Sequence, residues 1–253
     1  MILTQEQYER IKDCLPRQRG NVSLSNLQVL NAILFVAENG CKWRGLPKHM
    51  GNWHTVYTRM NRWSKAGVLD RVFERLQREQ IIRIRLEAVS LDSTIVKVHP
   101  DGTGALKKNG PQAIGRSRGG WTTKIHLVAA NARCAVTFAL SPGQAGDGPA
   151  GRELLTRHGP APVPGCVLIA DCAYQGDETR QLALDLGFTL VVPSSPRAHQ
   201  PWAYDRAMYK RRNEVERLFR RLKGFRRIFS RFDKLDVMFS AFIHFALIAE
   251  ALR

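Results

Sequence analysis

Three carboxylates in this chain sit where a carboxylate needs a reason. Asp92 interrupts the apolar, β-branched run EAVSLDSTIVKVH, and Asp171 closes another, CVLIADCAY. Burying an unpaired carboxylate costs on the order of several kcal/mol. A metal ion offsets that cost, and ligands made only of carboxylate oxygen favour Mg²⁺ or Mn²⁺ over zinc or copper. The third acid comes from YKRRNEVERLFRRLKGFRR (209–227), which holds both Glu214 and Glu216. On one continuous α-helix, at about 100° per residue, Glu216 shares a narrow stripe with Tyr209, Arg212, Arg220 and Lys223. The stripe borders an apolar face of Val215, Leu218, Phe219 and Leu222. Glu214 falls on the far side, toward solvent, and reads as a surface acid that softens repulsion between arginines. Glu216 is therefore the third candidate ligand. Arg212, Arg220 and Lys223 would grip phosphates around a reacting one and keep the clustered acids ionised. A structural salt-bridge network is the other reading of the same stripe.

The charge of the whole chain agrees with a polyanionic partner. Its 253 residues carry a net charge of +17, while hydrophobic content, at 44%, is that of an ordinary folded protein. Such a surplus concerns partners rather than fold, and points to nucleic acid or an anionic membrane. The membrane is disfavoured, because AFIHFALIAEAL (241–252) is too short to span and carries His244 and Glu250. The N-terminus lacks the pattern of a secretory signal. Five scattered cysteines with no CxxC pair argue against both a disulfide framework and a zinc site, and for a reducing compartment.

The elements that must position these acids change character near residue 85. Before it the pattern is helical: Thr4 caps TQEQYERIKDCL with Gln7 in capping-box register. SLSNLQVLNAILFVAENG follows and stops at Gly40; NWHTVYTRMNRWSKAG comes after a turn-rich link. This outlines a helix-turn-helix whose second helix offers Trp53, His54, Arg59 and Arg62 to DNA; a plain helical bundle is the alternative. After residue 85 the period becomes two. One strand carries Asp92, TTKIHLVAAN and CAVTFALSP form a hairpin, and CVLIADCAY is a buried parallel strand. Helices are expected at GPAGRELLTRHG, at DETRQLALDLGF and from Tyr204 to Lys223, with Asp147 and Asp177 as N-caps. The expected fold is α/β with a mixed sheet, residues 85–253, preceded by a helical domain, residues 1–84.

Tyr209, Arg212, Glu216 and Lys223 stand in the spacing Y-x2-R-x3-E-x6-K. With LDST at Asp92 and ADCAY at Asp171, the chain resembles the DDE transposases of bacterial insertion sequences, the insertion-sequence-five type and the related four type. GRSRGGWTTKIHLV (115–128) and GCKWRGLP (40–47) are similar to the same family. The resemblance implies a ribonuclease-H-like catalytic domain with Asp92, Asp171 and Glu216 as both catalytic and metal-binding residues. It implies two Mg²⁺ ions, replaceable by Mn²⁺, that serve phosphoryl transfer. DNA would be nicked at the element's end and the freed 3′-hydroxyl joined to target DNA, with no covalent protein–DNA intermediate. Tyr209 would then touch phosphate or backbone rather than act as a nucleophile. The partners implied are double-stranded DNA and a second copy of the chain on it, in the bacterial cytoplasm at the nucleoid.

Other candidates read as less reactive. The loop KKNGPQAIGRSRGG (107–120) lacks both nucleotide-binding glycine patterns, and its Lys107, Lys108, Arg116 and Arg118 suit DNA phosphates. His99 and His126 read as structural residues, and Trp202 as a hydrophobic anchor. Two alternatives to an active transposase stay open: a DNA-binding protein without catalysis, and a host nuclease of ribonuclease-H-like fold.

Overall fold

In a computed structural model of the chain, residues 2–83, 86–104, 106, 109–194 and 202–253 are described, with side chains from 77 to 83 left aside. They divide into two compact units. One contains residues 80–96 and 113–221; the other contains 1–79, 97–112 and 222–253.

The first unit is built on a mixed sheet. Strand β1 (Ala88–Val98) runs parallel to β5 (Val167–Ala170), which runs parallel to β6 (Thr189–Val191). On the other side of β1 lies β3 (Gly120–Ala129). Antiparallel to β3 are the short β2 (Gly115–Ser117) and the long β4 (Ala135–Pro142). The predicted hairpin and buried parallel strand are both present. Ala88 to Leu91 are all buried, as in a central strand covered on both faces. One face packs Val89, Leu91, Leu168 and Ala170 with Leu154 and Leu155 of α5 (Asp147–His158) and Ala183 of α6 (Asp177–Asp185). The other face packs Ala88, Ile169 and Val191 against Tyr204, Met208 and Tyr209. Each fully buried aliphatic side chain here contributes about 1.5–3 kcal/mol.

Two sequence expectations are corrected in this unit. The basic segment is not one helix: α7 (Arg206–Tyr209) passes through a 3₁₀ turn at Lys210–Arg212 before α8 (Asn213–Gly224) begins. The Asp205 side chain accepts from Met208 N and caps a short first piece, so the chain restarts rather than continues. Asp147 and Asp177 are not N-caps either. Gly146 and Gly176 hold the capping positions, and each acid is the first helical residue.

The other unit is mainly helical. Thr4 and Gln7 make the expected capping box on α1 (Gln5–Glu9), and α2 (Asn26–Asn39) ends at Gly40 with φ 68°. A Cβ at Gly40 would lie 2.8 Å from Arg226 Cβ, so both the conformation and the space call for glycine. Helix α3 (Trp53–Lys65), capped by Asn52, buries Val56, Met60 and Trp63, one face at helical spacing. Residues 40–52 between α2 and α3 hold two 3₁₀ turns, more than the roughly 3–4-residue turn of a helix-turn-helix. The short link, Ala66-Gly67, lies instead between α3 and α4 (Val68–Arg83). After α9 (Arg226–Phe229), β7 (Ser230–Arg231) pairs with Lys97 and Val98. The apolar α10 (Asp236–Ala251) packs on α2 and α3, which draws the C-terminal segment into the helical unit. No helix among the described residues is long and apolar enough to cross a membrane, and all five cysteines are free.

Candidate active site

Strand register sets the first two acids side by side. Leu91 of β1 is the partner of Ala170 of β5 in parallel register. Asp92 and Asp171 are the next residues on each strand, and neighbouring strands lie about 4.8 Å apart. Asp171 leaves its strand at once, and its Oδ1 accepts from Ala173 N at 2.9 Å, capping the turn Cys172–Tyr174. Tyr174 is buried under that turn, and its ring fills the space a Cβ on Gly151 would need.

The third acid is joined to the first by an arginine. Arg212 Nη1 donates to Asp92 Oδ2 at 2.9 Å, and its Nη2 donates to Glu216 Oε1, one helical turn on. Asp92 Oδ1 accepts from Ser93 N at 2.7 Å. Burial pushes the Asp92 carboxyl up to about 6; the Ser93 N–H and Arg212 oppose this, while the charges of Asp171 and Glu216 add to it. Asp171 and Glu216 thus both lie within electrostatic reach of Asp92.

Oxygen donors alone, two of them placed by neighbouring parallel strands, form a donor set suited to a hard divalent cation. A cation already bridges two of them, because the guanidinium of Arg212 spans Asp92 and Glu216. Among the described residues, no three His, Cys, Asp or Glu side chains stand ready-arranged around a metal position.

Two sequence models match this chain. One, described as "Transposase DDE domain", covers residues 84–249. The other, "Putative transposase of IS4/5 family (DUF4096)", covers residues 3–73. The chain belongs to the DDE transposase family. It is similar to the "Uncharacterized protein y4sN" of Sinorhizobium fredii, 35% identical over 43% of this chain and 86% of that protein. It also resembles a Brucella ovis protein named "Putative transposase for insertion sequence element IS6501", 33% identical over 49% of this chain and 94% of the relative. Among solved structures, a piggyBac transposase synaptic complex with hairpin DNA aligns with TM-score 0.41 and 9% identity. That alignment covers 78% of this chain and 50% of the piggyBac chain. The Mos1 mariner paired-end complex with Mn aligns with TM-score 0.29 and 12% identity, over 88% of this chain and 83% of that one. The mixed sheet seen here lies within the residues matched by the DDE domain, with a helical region before it.

Across the chain the sequence-predicted residues fall into three groups. Asp92, Asp171, Arg212 and Glu216 come together, with Tyr209 beside them: Arg212 lies 5.9 Å from the Tyr209 ring centre. Arg220 is exposed on α8, and Lys223, near its end, is half-buried with its ammonium pKa lowered by burial. Arg116 and Arg118 are exposed on β2 and the turn after it, whereas Lys107 and Lys108 lie outside the described residues. In the helical unit, His54 and Arg62 are exposed and Trp53 is half-buried, with Arg44 5.5 Å from its ring centre. Arg59 turns inward and donates to Leu24 O at 2.9 Å.

Two acids have contacts that periodicity concealed. Glu214 does not point idly to solvent: its Oε2 accepts from Ala132 N at 2.8 Å, and its Oε1 from Arg217 at 3.3 Å, so it pins the β3–β4 turn to α8. Asp147 Oδ1 accepts from the Ser93 hydroxyl at 2.8 Å and from Lys124 Nζ at 2.9 Å. Lys124 also donates to Ala145 O at 2.7 Å. This partly buried network ties the strand residue that follows Asp92 to β3 and α5. The available signal was a lysine in an inward-facing run of β3, GWTTKIHLVA. His126, also on β3, is fully buried, its Nε2 2.7 Å from Ser141 Oγ, and burial lowers its pKa to about 4, which keeps it neutral. Trp202 donates through Nε1 to Val192 O at 3.0 Å, with Arg180 3.8 Å above its ring.

Proposed function

We propose that this chain is a DNA transposase that binds the ends of an insertion sequence, cleaves DNA phosphodiester bonds and joins the 3′-hydroxyl ends to target DNA. The observation that carries the reading is the convergence of Asp92, Asp171 and Glu216 through the Leu91–Ala170 register and the Arg212 bridge. Those three carboxylates would hold divalent metal, two Mg²⁺ ions with Mn²⁺ as a substitute. Bound there, the ions would lower the pKa of the attacking water or 3′-hydroxyl and stabilise the leaving oxygen.

The chain's own groups do the remaining work. Asp92, within β1, Asp171, just after β5, and Glu216, on α8, offer preformed negative charge. Arg212, Arg220, Lys223 and the Tyr209 hydroxyl hold the DNA backbone on either side of the reacting phosphate. Exposed Arg116 and Arg118 extend the basic surface, and Lys107 and Lys108, outside the described residues, would add contacts to DNA phosphates. Residues 1–84 serve end recognition through Trp53, His54 and Arg62, with Arg59 held inward on Leu24 O, and residues 85–253 serve catalysis. Pairing two element ends calls for a homodimer on DNA, acting at the bacterial nucleoid.

The test is strand cleavage and joining on labelled DNA carrying the native element end, with Mg²⁺, for wild type and Glu216→Gln. Wild type is expected to nick the end and join it to target, while the variant binds without cutting. Equal cutting by both proteins would overturn the assignment.

A further inference from the structure

We infer that Arg212 is an internal cation that occupies the metal position between Asp92 and Glu216 until DNA draws it away, so that metal loading is coupled to DNA binding. The inference rests on the metal-site reading above and adds a control to it.

Four observations carry it. One guanidinium satisfies two carboxylates on separate elements, Asp92 Oδ2 on β1 at 2.9 Å and Glu216 Oε1 on α8. Asp92 is only 15% exposed, so its charge needs a counter-cation whenever it is ionised. Arg212 itself is 22% exposed and so has a route outward. It also ends the 3₁₀ turn between α7 and α8, a change of helix type where a small backbone adjustment redirects the side chain.

A divalent ion cannot take the same carboxylate oxygens while the guanidinium is bonded to them. Metal binding therefore requires Arg212 to give up two charge-assisted hydrogen bonds. In the free protein that exchange leaves the guanidinium without a partner anion. On DNA, a phosphate oxygen replaces the carboxylates, and planar guanidinium pairs with phosphate as well as with carboxylate. DNA and metal then favour one another reciprocally, and coupling of this kind typically amounts to about 5- to 150-fold in affinity. The arrangement also keeps the acids paired while no DNA is present, which limits metal-dependent cleavage of unintended phosphodiesters.

The experiment titrates Mn²⁺ into the full chain and follows free Mn²⁺ by electron paramagnetic resonance, with and without an element-end duplex. Four proteins are compared: wild type, Arg212→Gln, Arg212→Lys and Asp92→Asn. Without DNA, Arg212→Gln is expected to bind Mn²⁺ at least about 5-fold more tightly than wild type. Arg212→Lys, whose ammonium is a single compact charge, should fall between them. Adding duplex should tighten Mn²⁺ binding by wild type and leave Arg212→Gln little changed. Should Arg212→Gln be too unstable to measure, the Arg212→Lys shift and the DNA effect on wild type decide the matter. The coupling is overturned if both arginine variants bind Mn²⁺ no more tightly than wild type, or if duplex leaves wild-type affinity unchanged, while Asp92→Asn abolishes binding. If Asp92→Asn binds Mn²⁺ like wild type, the metal-site reading itself fails.

Discussion

Asp92 and Asp171 each stand one residue beyond a paired position, Leu91 opposite Ala170 on neighbouring parallel strands. That relationship lets two buried strands deliver carboxylates to one place without a loop between them. Glu216 comes from α8, whose Val215, Leu218, Phe219 and Leu222 are buried at helical spacing. The site is therefore held by packing, and its chemistry by what neutralises three acids.

Asp92 should govern stability against pH in metal-free protein. Burial raises its carboxyl to about 6 from 3.8. Between those values the folded state holds a proton that the unfolded chain has released. Stability is therefore greatest below the lower value and falls as pH rises through about 6, by up to about 3 kcal/mol for this group. In chelator, the melting temperature of Asp92→Asn minus that of wild type should be larger at pH 7.5 than at pH 4.5. A difference independent of pH would contradict the burial argument.

Glu214 and Glu216, two residues apart, should separate cleanly. Glu214→Ala loses the bond to Ala132 N and is expected to cost about 1–3 kcal/mol by chemical denaturation, with Mn²⁺ binding intact. Glu216→Gln should do the reverse, weakening Mn²⁺ binding with little loss of stability. Metal binding that falls in Glu214→Ala as far as in Glu216→Gln would reject the separation.

Gly151→Ala offers a sign test. In an open helix this change stabilises by about 1 kcal/mol. Here the new Cβ would meet Tyr174 Cε1 at 2.4 Å and Leu91 Cδ2 at 3.3 Å. The expected result is a loss of about 1–3 kcal/mol from overpacking, with reduced strand cleavage because Tyr174 closes the turn that Asp171 caps. A stabilised, fully active variant would show that the site tolerates movement of this ring.

Arg59 and Arg62, both on the proposed DNA-reading helix, should part company as well. Arg59→Ala loses its bond to Leu24 O and should lower stability by about 1–3 kcal/mol. Arg62→Ala, at an exposed position, should leave stability within about 0.5 kcal/mol but weaken DNA binding and reduce the salt slope by about 1. Unchanged affinity and slope in Arg62→Ala would remove this residue from the DNA interface.

Local pattern carried much of the fold. The β-branched alternation around Asp92, the hairpin across Asn131–Arg133 and the Thr4 and Gly40 helix ends were all readable, because each depends on neighbours within a few residues. What depended on distant partners was not. The break at Lys210–Arg212 has no proline or glycine to announce it, so a helix wheel from Tyr209 ran straight through. The Arg212–Glu216 pair survived that error because four residues apart is one turn wherever the helix begins. Glu214 looked like a solvent charge until Ala132, 82 positions away, supplied its N–H. Asp147 looked like a cap because an acid at the first helical position and one at the cap read alike. The grouping of residues 222–253 with the N-terminal helices reflects apolar packing of α10, which a change in composition near residue 85 does not reveal.

The most direct test of the central claim is to let Fe²⁺ replace Mg²⁺ and, with ascorbate and peroxide, map where the bound iron cuts the protein backbone. A single metal centre shared by the three acids predicts cuts near residues 92, 171 and 216 together, suppressed by excess Mg²⁺ and lost in Asp92→Asn. Cuts absent from these three places, or unaffected by Asp92→Asn, would contradict it.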